Sequence, residues 1–305
     1  MTFTDPIYSK ARRDDSDRSS VPHDADLRHH RTIAVNRLQA ALARLSYRSI
    51  IAFGYVLMLA PVAMILVMSF FQDEIVSFPP SGLTFHWYAN AFSRSEFARG
   101  FLVSAQVALA AMIIGVPLGT AAALALSRSS IAGKGAINTL LLGPLIVPGI
   151  VAGTALYLFY LRIENALDRD VVGTFAGLIA AHVLLTIPWT VRVVTASLQG
   201  LDRAAEEAAA NLGARPWTVF RRITLPMLRP GIVAASMFSF IQSFENLELT
   251  LLLVGPGKTT LPVAMLNYLE FRMDPTLAAV ATVQIVIVAA LMLITDKFVK
   301  LSRIV

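Results

Sequence analysis

The sequence predicts an all-α membrane protein with six transmembrane helices. Of its 305 residues 56% are hydrophobic and only 15% are charged, and the apolar residues fall in long runs. Crossing about 30 Å of hydrocarbon takes roughly 20 helical residues. Six segments have that length, near 50–71, 101–126, 136–161, 173–193, 231–254 and 277–296. Backbone N–H and C=O groups in lipid must be satisfied within the segment, so runs of this kind are read as helices.

Residues 1–45 form a polar tail ahead of span one. It has no apolar core before a small-residue cleavage site, so it is not a secretory signal peptide; it reads as a largely disordered cytoplasmic extension. Arg37 to Arg48 is expected as an interfacial helix leading into the membrane domain, residues 46–305. After span one, Ser77 to Gly82 carries Pro79 and Pro80 and reads as a turn. Trp87 and Tyr88 beyond it suit interfacial anchors. Span three is interrupted by Pro144 and Pro148, and span four carries Pro188 and Arg192 near its end. Prolines in spans are tolerated where neighbouring helices or a water-lined cavity satisfy the freed carbonyls, so Pro61, Pro117, Pro148 and Pro188 suit a bundle with a pathway. The loop 200–226 holds a helix-forming run, Arg203 to Leu212, then Gly213 as a left-handed cap, then Pro216 opening a second short helix. Arg215 is a poor N-cap for that second helix.

Charge sets the orientation. Lys and Arg number 9 before span one, 2 between spans two and three, 6 from Arg192 to Pro230 and 3 after span six, which places 20 of 26 on one side. The other side holds only Arg94, Arg99, Arg162, Arg169, Lys258 and Arg272. The positive-inside tendency therefore puts both termini and the loop 200–226 in the cytoplasm. The net charge of +6 reflects this topology and predicts no nucleic-acid site.

Cysteine is absent, which excludes disulfides and thiolate metal sites, and the five histidines are too scattered to form a ligand set. Gly257-Lys258-Thr259 ends like a phosphate-binding loop. Its first glycine would have to stand at Leu252, no strand precedes it, and the topology puts Lys258 outside the cell.

The most specific motif is Glu207-Ala208-Ala209, followed after three residues by Gly213 and after nine more by Ile223-Thr224-Leu225-Pro226. It resembles the cytoplasmic coupling loop of ABC importer permeases. The Phe78-Pro79-Pro80 turn with Leu83-Thr84 and Trp87-Tyr88, the Pro144 to Gly153 stretch, His182 to Pro188 and Thr260-Leu261-Pro262 resemble the spermidine/putrescine group of these permeases. The resemblance implies a type I importer permease architecture, with core spans over 99–298 and a coupling loop over 200–226. It also implies ATPase subunits that bind the ATP and Mg, a second permease subunit, an extracytoplasmic solute-binding protein, and a bacterial inner-membrane location. No cofactor and no ATPase site are then expected on this chain.

The expected ATPase-coupling residues are Glu206, Glu207, Ala208, Ala209, Leu212, Gly213, Trp217, Phe220, Leu225 and Pro226. The acids can pair with basic groups of a partner, the alanines and Leu212 give a surface that lies in a groove, and the aromatics are anchors. Arg221 and Arg222 suit anionic lipid headgroups. Glu245 and Glu248, with Gln242 and Asn246, are the expected substrate-pathway residues. Carboxylates at bilayer depth mark function. Three residues apart on one helix they would share a face and hold a transported ammonium group. The other reading is that span five ends early and leaves them at the interface. His182 reads as a packed, hydrogen-bonded histidine. The expected function is a permease subunit importing a polyamine or similar small amine. The alternative is an ion-coupled secondary transporter using Glu245, Glu248 and His182.

Overall fold

The computed structural model describes residues 23–75, 77–128 and 132–299. It divides into two units, Met1–Met64 and Ile65–Val305. The first contains most of α1, His23–Met68, of which Leu42–Met68 is long and apolar enough to cross a membrane. The tail expected to be largely disordered is thus helical from His23 onward; the Ala-, Leu- and Arg-rich residues near Ala40 to Leu45 are strong helix formers. Residues 1–22 of that tail lie outside the described residues.

In the second unit, α2 (His86–Ser93) leads into α3 (Ser95–Arg128). Then come α4 (Lys134–Leu142), α5 (Gly149–Leu167) and α6 (Phe175–Gln199). The short α7 (Ala204–Asn211) and α8 (Pro216–Val219) precede α9 (Leu225–Phe244). The chain closes with α10 (Glu248–Leu251), α11 (Leu261–Phe271) and α12 (Thr276–Val299). Among the described residues five helices have the length and composition of membrane spans, or six when a bent pair is counted as one span.

That bent pair corrects the single span expected over 136–161. Lys134–Leu145 and Gly149–Leu167 meet at 104°. Pro148 stands in the gap between the two halves, where proline removes an amide donor and disfavours helical geometry in the residue before it, whereas Pro144 lies within the first half, after a helical Gly143. Pro148 itself stands extended at ψ 134 as the residue before α5.

The core is a packed trio of α3, α6 and α9. The buried side of α3 is built from small residues, among them Ser104, Ala108, Ala111, Gly115, Gly119 and Ala123. Small residues let helix axes approach closely where there is no hydrophobic drive between helices in lipid. A Cβ on Gly119 would stand 2.6 Å from Cβ of Thr190 on α6, so only glycine permits this crossing. Hydroxyls then bridge α6 and α9: Thr190 Oγ1 lies 3.0 Å from Ser239 Oγ. Trp87, expected as an interfacial anchor, is buried and donates its indole N–H to Phe71 O at 2.7 Å, pinning the loop between α1 and α2.

Candidate functional site

The segment between α6 and α9 is built as its composition dictates. Asp202 Oδ1 accepts the Ala204 N–H at 2.9 Å and starts α7. Gly213 ends it with φ +82, and Ala214 N–H reaches back to Ala209 O at 3.0 Å, the left-handed closure expected there. Pro216 opens α8 after an extended Arg215. The structure then departs from the expected pair of separate short helices. α8 does not stop but passes through a π-helical turn, Phe220–Thr224, straight into α9. Pro226 accounts for it: with no N–H and a ring that crowds the carbonyl four residues back, it forces a wider turn, and Leu225 N–H bonds to Phe220 O. The second half of the 200–226 segment is therefore the root of α9.

Glu206 is engaged inside the chain. Its carboxylate forms a two-pronged ion pair with the Arg128 guanidinium at the end of α3 (Nη2 to Oε1 2.5 Å) and accepts the Thr224 hydroxyl at 2.6 Å. The Arg128 hydrogen bonds, with that of Thr224, hold the carboxyl below the ordinary glutamate range against the opposing effect of burial. Arg203 Nη2 donates to Ser127 O at 3.1 Å beside it. One carboxylate thus ties α7 to the end of α3 and to the root of α9. Sequence reading assigned Glu206 to a partner; the 78-residue separation from Arg128 gave no local signal of the internal pair.

The other residues expected to couple are exposed or half-buried. Leu212 is 88% and Trp217 67% exposed, and Glu207, Ala208, Leu225 and Pro226 are exposed beside half-buried Ala209 and Phe220. Trp217 and Phe220 rings lie 5.3 Å apart. Exposed large side chains around a small-residue helix are what a protein partner would cover.

The paired-acid picture is corrected by the break after α9. That helix ends at Phe244, Glu245 is its C-cap, and Glu248 begins α10. The two carboxylates therefore share no helical face. Glu248 lies over Gly149 at the start of α5. Glu245 lines a groove of about 430 Å³ with Met265, Leu266, Leu269, Leu277 and Gln284. Asn246 is used locally: its Oδ1 accepts the Leu249 N–H at 3.1 Å and caps α10. Gln242 is half-buried on α9.

His182 is fully buried, as read, with Nδ1 2.7 Å from Ser243 Oγ and Nε2 3.1 Å from Thr250 Oγ1. It joins α6 to α9 and α10. Lys258, in the stretch that mimics a phosphate loop, donates Nζ to Gly173 O at 2.9 Å, and the helix α10 precedes it instead of a strand.

Against known proteins, residues 115–303 match the family described as binding-protein-dependent transport system inner membrane component. The chain is 29% identical over 234 residues to the putrescine transport system permease protein PotI of Escherichia coli (strain K12), covering 76% of this chain and 83% of that one. It is 34% identical over 206 residues to the molybdenum transport system permease protein ModB of Mycobacterium tuberculosis (strain ATCC 25618 / H37Rv), covering 63% and 76%. A solved bacterial alginate ABC transporter, in complex with an alginate pentasaccharide-bound periplasmic protein, shares the fold with a TM-score of 0.65 at 17% identity over 88% of this chain and 95% of that one. The chain belongs to the binding-protein-dependent transport system inner membrane components, the ABC importer permeases that its Glu207 to Pro226 motif resembles.

Proposed function

We propose that this permease forms the solute path of an importer whose ATP and Mg are bound by separate ATPase subunits, docked on the outward surface of Glu207, Ala208, Leu212 and Trp217. The clamp of Glu206 on Arg128 and Thr224 supports this reading, because movement of α7 is passed at once to α3 and to the root of α9. A second permease subunit completes the path, and an extracytoplasmic binding protein delivers solute. Both termini face the cytoplasm, in keeping with the 20-to-6 division of basic residues.

The solute is proposed to be a polyamine or similar small amine. Kinship alone does not choose, since one relative is named for putrescine and another for molybdenum. Glu245 carries the choice. It places one carboxylate on the wall of a mainly aliphatic groove, a fit for a cationic head on a methylene chain. At an effective dielectric near 20, a charge pair about 4 Å apart is worth about 4 kcal/mol before desolvation, and a net third of that is about tenfold. In the reconstituted complex with the binding protein saturating, Glu245→Gln should lower putrescine uptake about tenfold, and Glu248→Gln, on the other side of the break, only slightly. Unchanged uptake in Glu245→Gln removes the amine and leaves the permease.

A further inference from the structure

The corner between α2 and α3 faces α11 across a cleft of about 540 Å³. Of the six basic residues that the charge division sets opposite the coupling loop, three line it: Arg94, Arg99 and Arg272. Glu96 is the acid among the lining residues. Arg94 is held in place, its guanidinium carbon 4.9 Å from the centre of the Tyr268 ring, whose hydroxyl donates to Asp274 at 2.6 Å. Its Nε is buried with no hydrogen-bond partner among the described residues, and its Nη1 reaches Glu96 only at 3.4 Å. Among the described residues Arg99 donates to Ser95 of its own helix. Arg272, just past α11, is exposed. Arg94 is thus oriented by the Tyr268 ring and Glu96, while Arg99 and Arg272 are the exposed guanidinium groups of the cleft, and guanidinium groups bind carboxylates two-pronged. A cationic solute would be repelled there, so the cleft is not a second amine site.

α11 also separates this cleft from the Glu245 groove. Asn267 and Tyr268 line the cleft, while Met265, Leu266 and Leu269 line the groove. A protein seated in the cleft is thus about one helix diameter, roughly 10 Å, from the groove.

We propose that the Arg94, Arg99 and Arg272 cleft receives acidic side chains of the extracytoplasmic binding protein, and so registers its solute-release site over the groove beside α11. This rests on the orientation and the binding-protein partner given under Proposed function.

The test uses the reconstituted complex with its own binding protein. Arg99→Glu with Arg272→Glu should raise the binding-protein concentration for half-maximal uptake about tenfold or more and weaken its dependence on ionic strength, with the maximal rate recovered at saturation. An unchanged half-maximal concentration, or a loss of maximal rate alone, overturns the proposal. The chain has no cysteine, so Asn267→Cys places a single thiol in the cleft without touching the arginines. In intact cells a membrane-impermeant maleimide should label it, and saturating binding protein should slow the labelling. Labelling from the cytoplasm alone overturns the orientation. Labelling from outside that the binding protein does not slow overturns the docking while the orientation stands. Protection by citrate without the binding protein makes the cleft a small-anion site and also overturns it.

Discussion

At the scale of residues, the charged groups that matter are those whose partners lie far along the chain. Glu206 is the clearest. Its side chain is 11% exposed, so the Arg128 pair is only partly screened, and a charge-assisted, two-pronged bond of this kind is worth about 1–2 kcal/mol. Glu206→Gln should lower the Tm of the purified permease modestly and reduce uptake more than it reduces ATP hydrolysis by the complex. A proportional fall in both would make the clamp a stabiliser only. The pH dependence has a definite sign. A carboxyl held below its ordinary value of 4.5 stabilises the fold above that value, and the contribution is lost as pH falls through the lowered one. The Tm gap between wild type and Glu206→Gln should therefore stay constant from neutral pH to about 4.5 and close only below it. The motif marked this region, and the carboxylate's internal partners were invisible because Arg128 and Thr224 stand 78 and 18 residues away. His182 was legible for the opposite reason: a lone histidine in an apolar span, with no acid at helical spacing, has to find hydroxyl partners to be buried.

At the scale of elements, hydrophobic length located the membrane helices well, and proline decided where they fail to be simple. The 104° break between the two halves of span three falls at Pro148, and the widened turn before α9 at Pro226. The end of α9 at Phe244 had no such signal. Gln242 to Leu251 is composed of acceptable helix residues, and it is the packing of His182 on both Ser243 and Thr250 that accompanies the break there. The paired acids were lost in that gap. Gly213 is the joint between α7 and α8 in the segment proposed to couple. Its φ of +82 costs a residue with a Cβ about 1–2 kcal/mol, and open space around it means the penalty is conformational and not a clash. Gly213→Val should relieve that strain by reorienting α7 against α8, moving Leu212 away from Trp217. Membrane insertion and binding of solute by the binding protein should persist while solute-stimulated ATP hydrolysis and uptake fall severalfold. Wild-type rates in Gly213→Val would detach coupling from this turn.

At the scale of the whole molecule, the Ile65–Val305 unit places two kinds of surface at opposite ends of the same three helices. The Arg128 end of α3 meets the root of α9 through Glu206, and the Ser95 end of α3 faces α11 beside the arginine cleft. α3 and α9 run in opposite directions between these ends, so a displacement at the root of α9 has a rigid route to Glu245 at its far end. Such a route does work only if the two ends face different compartments. That is the content of the basic-residue division, because a basic residue near a span is retained on the cytoplasmic side during insertion. A reporter active only in the cytoplasm should function when fused after Val305 or inserted between Ala214 and Arg222, and should be silent after Lys258. Lys258 is an informative site because its Nζ is tied to Gly173 O in the loop before α6. Both loops must therefore lie on one side, and a second fusion after Gly173 has to give the same answer. Cytoplasmic activity at Lys258 and Gly173 together would invert the molecule. It would put the arginine cleft in the cytoplasm and the exposed Trp217 outside, leaving the ATPase subunits without the surface assigned to them.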